Sequence, residues 1–190
     1  MRISKLVSCS FCLVLATLAI ASVRASAQPR IVLIIRHAEK PDDSDETKDP
    51  NLSPQGFQRA DALATVIPAR FPRPDFLIAT KPGKGSRRPY ETITPLSKAL
   101  GEEIEAIYKD EEVGEVAHEV LTDPRFTGKV VLIAWHHGMI PTLAQDLGVT
   151  GAPAKWNSKV FDRVWEVTYN VGTPSWQDLP QEALPGDSQQ

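Results

Sequence analysis

The sequence predicts an α/β fold, a three-layer αβα sandwich whose central sheet is largely parallel. Two continuously apolar runs, residues 31–35 and residues 130–135 of a predicted strand at 129–135, have the composition of strands that are buried on both faces. Segments with the apolar spacing of helices alternate with the strands, at residues 54–70, 89–100 and 113–121. Because strands that alternate with helices form parallel sheets covered on both sides, this order predicts a single α/β domain.

The N-terminal segment differs from the rest of the chain and predicts a secretory signal peptide over residues 1–27. Arg2 and Lys5 precede an uncharged apolar stretch at residues 6–23, and an Ala-Ser-Ala cleavage site follows at residues 25–27. An uncleaved membrane anchor is the alternative. We therefore expect a periplasmic or secreted protein that is not inserted in the membrane after cleavage.

The composition excludes several classes of function. The net charge of −3 over 190 residues gives no reason to expect binding to nucleic acid. Both cysteines, Cys9 and Cys12, lie in the predicted signal peptide, so the mature chain has no thiol for catalysis, metal binding or redox chemistry. The predicted signal peptide also contains basic but no acidic residues, which leaves the mature chain more acidic still. An anionic substrate would therefore need a local basic pocket.

The first strand ends abruptly in the polar sequence Arg-His-Ala-Glu at residues 36–39. Ligand sites of α/β sheets lie outside the carboxyl ends of the strands, so this turn is a candidate site. The acidic stretch at residues 41–50 has the composition of a solvated loop and lacks the ligand spacing of a calcium site. Ser53 then suits a helix N-cap and Pro54 the first helical position.

A basic loop follows the second predicted strand, which spans residues 75–80. Residues 81–88 contain four positive charges but lack the Gly-Lys-Ser/Thr order of a nucleotide-binding phosphate loop. Arg87 and Arg88 precede a helix, where cations oppose the helix dipole unless an anion binds between them. The loop is therefore a candidate anion site, and its lysines suggest more than one negative charge on the ligand.

The remaining elements complete the predicted domain. In order, we expect a short strand at 104–108, a helix at 113–121, a strand at 129–135 that ends in His136-His137-Gly138, a helix at 141–147, a strand at 160–169 that closes the sheet, and a flexible C-terminal tail at 172–190. Since parallel strands end at the same edge of a sheet, the basic residues after three of these strands should converge on one pocket.

These segments together resemble the histidine phosphatase superfamily, whose fold is that of the cofactor-dependent phosphoglycerate mutases. Arg36-His37-Ala38-Glu39-Lys40 after a buried strand matches the superfamily signature, Leu-Ser-Pro-x-Gly at 52–56 resembles the next segment, and Arg88 followed by Glu91 and Thr92 resembles the second motif. The resemblance covers residues 31–147. It implies a phosphoglycerate-mutase-like catalytic domain over residues 28–171.

The resemblance implies an exported phosphatase that hydrolyses a phosphomonoester through a phosphohistidine on His37, without a metal or a cofactor. Arg36 and Arg88 would bind the phosphate oxygens, and their charges should keep His37 neutral. Adjacent strand residues point to opposite faces, so Arg36 and His37 can share a pocket only if the chain leaves strand geometry there.

Two further roles have two candidates each. His136 falls in the register of the second catalytic histidine, whereas His137 forms the His-Gly pair that is also typical. Glu115 falls in the position of the general acid, with Asp110 as the alternative. Glu39 would order the signature loop or a neighbouring arginine.

The expected substrate is a small anionic phosphomonoester or a phosphorylated component of the cell envelope. Two alternative functions use the same pocket. A non-catalytic phosphate-binding module would bind the anion without turnover, and a phosphoglycerate-mutase-like phosphotransferase would move the phosphoryl group to a second hydroxyl. The sequence leaves the oligomeric state open.

Overall fold

The computed structural model describes residues 28–41, 49–170 and 172–188, so the predicted signal peptide and most of the acidic loop lie outside the described residues. In chain order the elements are β1 (Ile31–Arg36), α1 (Pro54–Arg70), β2 (Phe76–Ala79), α2 (Arg88–Leu100), β3 (Ile104–Glu105), α3 (Val113–Thr122), β4 (Val130–Trp135), α4 (Ile140–Asp146), β5 (Arg163–Thr168) and β6 (Ser175–Pro180). None of these described helices is both long and apolar enough to cross a membrane.

The strands form one mixed sheet in the order β3-β2-β4-β1-β5-β6. The first four strands of this order run parallel, whereas β5 and β6 are antiparallel to their neighbours. Arg36 pairs with Trp135 and Ala79 pairs with Ala134, so β1, β4 and β2 end at the same level. The predicted largely parallel sheet is therefore confirmed, and the carboxyl ends of its three central strands share one edge.

Alternate residues of the buried strands face opposite layers of helices. Val32 and Ile34 pack in a core with the apolar faces of α3 and α4, and Leu33 and Ile35 pack in a second core with α1 and α2. All four side chains are fully buried. This alternation explains why the first strand is continuously apolar, and it produces the predicted three-layer sandwich.

The prediction of a flexible tail from residue 172 onward is wrong for residues 175–180. These residues form β6, which pairs with β5 along its whole length and makes the outer edge of the sheet. All six side chains of β6 are exposed or half-buried, and the strand lacks the apolar run that identified β1 and β4. The strand forms because it pairs with β5, and this tertiary contact is not visible in the local composition of residues 175–180.

The start of α1 is docked against the loop that follows β1. Ser53 caps the helix by accepting a hydrogen bond from the Gly56 N–H at 3.1 Å, and the Ser53 N–H donates to the Glu39 carbonyl at 2.9 Å. A Cβ added at Gly56 would lie 2.2 Å from the same carbonyl oxygen. The glycine is therefore required by this close approach of two backbones.

Gly56→Ala should destabilise the protein by about 1–3 kcal/mol, because the loop next to His37 or the helix must shift to admit the methyl group. Gly114→Ala in α3 is the matched control, since a Cβ there would meet only an ordinary contact at 3.8 Å. Alanine favours helix over glycine, so the control should be neutral or stabilising. Thermal unfolding of both variants checks this; equal melting temperatures would contradict the packing argument.

Candidate active site

His37 lies at the carboxyl edge of the sheet, where the chain leaves β1. Its N–H still donates to the Trp135 carbonyl at 3.0 Å, but the next N–H, of Ala38, donates to the Thr92 hydroxyl at 2.8 Å. The imidazole Nδ1 is 2.7 Å from the Ala38 carbonyl oxygen. Because a carbonyl oxygen only accepts, Nδ1 holds the ring proton and Nε2 keeps its lone pair.

The environment of His37 holds its ring in the neutral form. The side chain is only 2% exposed. Burial lowers the pKa of His37 to about 2, with further lowering by the charges of Arg36, His136 and Arg88, against the opposing hydrogen bond to Ala38. The ring is therefore an uncharged imidazole with a free lone pair on Nε2 at neutral pH, which is the form that acts as a nucleophile.

The lowered pKa of His37 makes the free energy of unfolding depend on pH in a definite direction. In the unfolded chain, His37 binds a proton when the pH falls below about 6.5. In the folded chain it binds one only when the pH falls to its lowered pKa of about 2. The free energy of unfolding should therefore fall more steeply on acidification for the wild type than for His37→Asn. The difference should approach one proton, about 1.4 kcal/mol per pH unit below about pH 5.5. Urea unfolding between pH 7 and 4 measures it, and identical slopes would contradict a neutral buried His37.

Arg36 is a buried cation whose position is set by the segment before β5. Its guanidinium lies 3.7 Å from the Phe161 ring centroid, and Nη1 donates to the carbonyls of Ser158 and Val160 at 2.6 and 3.1 Å. Burial lowers the pKa of Arg36 to about 10, so it stays charged at neutral pH. Its Nε is buried and has no hydrogen-bond partner among the described residues. A buried donor on a cation favours an anionic ligand.

Arg88 is the first residue of α2, and it reaches the same edge from the helix side. Its Nη1 donates to the Asp49 carbonyl at 3.0 Å. The N-cap residue Arg87 makes no side-chain cap, so the positive end of the helix dipole adds to the charge of Arg88. The buried Thr92 hydroxyl donates to the Arg88 carbonyl at 2.7 Å while accepting from Ala38, and thereby ties α2 to the signature loop.

His136 follows β4 and lies beside His37, with 5.3 Å between the two ring centroids. Its Nδ1 is 2.9 Å from Asp110 Oδ1, and its Nε2 is 2.9 Å from Ser86 Oγ. The Trp135 indole donates to the Asp110 carbonyl at 3.0 Å and holds the acid in place. The carboxylate accepts the Nδ1 proton, whereas Nε2 faces away from Asp110 and contacts the Ser86 hydroxyl, so a ligand that reaches Nε2 must replace this contact.

The other two candidates lie elsewhere. His137 is half-buried and lines a cavity next to Arg36. Glu115 is exposed in the first turn of α3 and makes no side-chain hydrogen bond or ion pair with another described residue. The structure thus brings Arg36, His37, Arg88 and His136 to one edge together with Asp110, and it does not bring Glu115 there.

Glu39 pairs with Arg59 of α1, a residue that the sequence analysis did not single out. Arg59 is 3% exposed, contacts both Glu39 oxygens at 2.8–3.0 Å, and contacts both Asp187 oxygens at 2.8 Å. The C-terminal segment is therefore tied to the loop after His37. The sequence does contain a signal for Arg59, because this charged residue is adjacent to Ala60 on the apolar stripe of a predicted helix. A charge at such a position is buried and needs a partner of opposite charge.

Among the described residues, the site contains more positive than negative groups. Of the nearby described carboxylates, Glu39 is engaged by Arg59 and Asp110 contacts His136, whereas Arg36 hydrogen-bonds to two backbone carbonyls. The described residues include no cluster of three or more metal-ligating side chains. The arrangement can therefore bind a tetrahedral anion between two guanidinium groups and present it to a neutral imidazole nitrogen.

Neither a scan against models of known protein families nor a search of curated proteins finds a match. Solved structures do match. A mycobacterial glucosyl-3-phosphoglycerate phosphatase in complex with inorganic phosphate is 16% identical, with a TM-score of 0.54 and coverage of 78% of this chain and 95% of that chain. The protein histidine phosphatase SixA complexed with tungstate is 15% identical, with a TM-score of 0.58 and coverage of 80% and 97%. Phosphoglycerate mutase from Plasmodium falciparum is 13% identical, with a TM-score of 0.55 and coverage of 83% and 95%.

These comparisons show the fold. The chain matches structures from the histidine phosphatase superfamily over about four-fifths of its length, and its fold is phosphoglycerate-mutase-like. The fold expected from the sequence motifs is confirmed. The activities named for the matched structures belong to those proteins, since a fold alone does not determine chemistry.

Proposed function

We propose that the protein is a phosphatase that hydrolyses a phosphomonoester through a phosphohistidine on His37, without a metal. The observation that supports this best is the environment of His37. A buried, neutral imidazole with its Nδ1 proton held by a carbonyl lies beside His136 and close to two arginine cations. Two nearby cations do not stabilise a histidine that has only a structural role. A histidine that attacks a phosphate dianion needs them, because they neutralise the charge of the phosphate oxygens.

In the first step, Nε2 of His37 attacks phosphorus and the bond between phosphorus and the leaving oxygen breaks. Arg36 and Arg88 neutralise charge on the phosphoryl oxygens, and the Ala38 carbonyl stabilises the ring as it becomes positive. His136, as an imidazolium supported by the Asp110 carboxylate, exchanges its contact with Ser86 Oγ for the leaving oxygen and gives that oxygen the Nε2 proton. The alcohol then departs with that proton.

In the second step, water attacks the phosphorus of the phosphohistidine. His136 is now neutral and accepts the proton of the water through Nε2, which restores the imidazolium. The phosphorus–nitrogen bond breaks, inorganic phosphate forms and His37 returns to its neutral state. Asp110 acts here through His136, so we assign it as a positioning residue. Glu115, which the sequence analysis placed in the position of the general acid, takes no part in these two proposed steps.

The test is to capture the phosphoryl group on the enzyme. Residues 28–190 are mixed with a 32P-labelled aryl phosphate and quenched in alkaline detergent, since a phosphohistidine is stable to base and hydrolysed by acid. We expect release of phosphate that is insensitive to EDTA, together with a base-stable, acid-labile label on the protein. A phosphate-binding module gives neither release nor label. A phosphotransferase gives a label but passes it to an added alcohol in preference to water.

The proposal includes export, which depends on the signal-peptide pattern of residues 1–27. The intact mass of the protein recovered outside the cytoplasm should correspond to a chain that begins at Gln28. A mass that includes residues 1–27 would indicate a membrane-anchored form instead.

A further inference from the structure

Ser86 lies in the site, but the two steps of phosphate hydrolysis do not use it. Its hydroxyl oxygen is 2.9 Å from His136 Nε2, and Nδ1 of the same ring is 2.9 Å from Asp110 Oδ1. The three side chains therefore form a chain of contacts in the order serine, imidazole, carboxylate. A hydroxyl within hydrogen-bond reach of an imidazole that a carboxylate orients is the arrangement that makes serine a nucleophile, whatever the order of the residues in the sequence.

The contacts around Ser86 determine which group donates when His136 is a neutral ring. Asp110 accepts the Nδ1 proton, so the lone pair of Nε2 accepts from the Ser86 hydroxyl. The backbone N–H of Arg88 donates to the Ser86 oxygen at 3.3 Å and occupies one of its two lone pairs. The serine proton therefore already points at the base that would remove it, and the oxygen has a second lone pair with which to attack an electrophile.

A substrate can reach Ser86, and the site holds positive charge for the reaction. Ser86 is half-buried, and the residues before it at 81–85 are exposed. The side chain of His136 is 20% exposed, so the base is accessible as well. The charge of Arg88 acts on His37, whose ring lies 5.3 Å from that of His136. A cation at this distance from the base can stabilise a carbonyl oxygen that becomes negative when the serine attacks.

We propose that the protein has a second activity, the hydrolysis of carboxylic esters, in which Ser86 is the nucleophile, His136 is the general base and Asp110 orients the ring. This activity goes beyond the proposed phosphatase and does not depend on it, because no step of ester hydrolysis takes place at His37. The two reactions share His136, so an ester and a phosphomonoester would compete for the same imidazole.

In the first step of ester hydrolysis, Nε2 of neutral His136 takes the Ser86 hydroxyl proton while the serine oxygen bonds to the carbonyl carbon, and the carbonyl oxygen becomes negative. The alcohol then leaves with the proton from Nε2, and an acyl-serine remains. In the second step, a water molecule gives a proton to Nε2 and attacks the acyl carbon. The bond to the serine oxygen breaks, that oxygen takes back the proton, and a carboxylic acid is released.

The first experiment identifies the nucleophile with a reagent that reacts with activated serines. The purified protein is treated with an alkyl fluorophosphonate, which bonds the serine oxygen to phosphorus and releases fluoride, and the adduct is mapped by peptide mass spectrometry. We expect a single adduct, on Ser86. The absence of an adduct, or an adduct on another residue such as His37, would overturn the inference.

The second experiment measures hydrolysis of 4-nitrophenyl acetate. Ser86→Ala should lower kcat/KM by about 10²-fold or more, because no hydroxyl remains beside His136. Ser175→Ala, at an exposed serine at the start of β6, is the matched control and should keep the full rate. Melting temperatures of both variants check that the fold is retained, and the adduct on the wild type decides the question if Ser86→Ala unfolds.

The two activities fail separately, because each is measured on its own substrate. No hydrolysis of the ester by the wild type, or an unchanged rate in Ser86→Ala, would overturn the inference and leave the phosphatase standing. Absence of the phosphohistidine label and of phosphate release would remove the proposed phosphatase, and hydrolysis of the ester through Ser86 would still support the second activity.

Discussion

His37→Asn should lower kcat for an aryl phosphate by at least about 10⁴-fold, because the variant has no nitrogen lone pair that can attack phosphorus. Asparagine is close to histidine in size near the backbone, and its amide can donate to the Ala38 carbonyl in place of Nδ1. The site should therefore keep its shape and its arginines. The phosphohistidine label should disappear together with turnover.

Two controls separate loss of the nucleophile from loss of the fold. Inorganic phosphate should still raise the melting temperature of His37→Asn, since Arg36 and Arg88 remain and a ligand that binds only the folded state stabilises it. His118→Asn, at an exposed histidine on α3, should keep full activity. Residual activity within tenfold of the wild type would exclude His37 as the nucleophile.

The sequence predicted the central strands and the edge at which they end for a simple physical reason. A strand buried on both faces, such as β1 or β4, must be apolar at every position, and the polar residues that follow it must then lie at its carboxyl end. Parallel pairing brings those ends together, so the common position of Arg36, His37 and His136 follows from local patterns. Their roles in catalysis remain predictions.

The sequence did not predict contacts between distant segments. Arg36 is held by Phe161 and by the carbonyl of Val160. These two residues follow Arg36 by more than 120 positions, in a segment whose sequence has no pattern that would indicate the contact. Asp110 was only the alternative acid, because spacing along the chain pointed to Glu115. The distance from Asp110 to His136 depends on how β3, α3 and β4 pack, and no local pattern specifies that. The pairing of β6 was missed for the same reason.

The structure favours Asp110 over Glu115 as the acid that supports proton transfer, and a pair of variants decides between them. Asp110→Asn should lower kcat/KM for an alkyl phosphate by about 10²-fold or more, because the amide offers His136 an acceptor but no negative charge to stabilise the imidazolium. Glu115→Gln should have little effect on activity, since that side chain is exposed and makes no contact with the site.

The dependence on the leaving group distinguishes proton transfer from a general loss of structure. An alkyl oxygen needs a proton as it departs, whereas 4-nitrophenolate is stable without one. The loss in Asp110→Asn should therefore be large for an alkyl phosphate and small for 4-nitrophenyl phosphate, while a distorted site would slow both substrates alike. An equal loss for both substrates would make Asp110 a structural residue only. A loss that appeared in Glu115→Gln and was selective for the alkyl phosphate would instead assign the acid to Glu115, and would require α3 to approach the site during turnover.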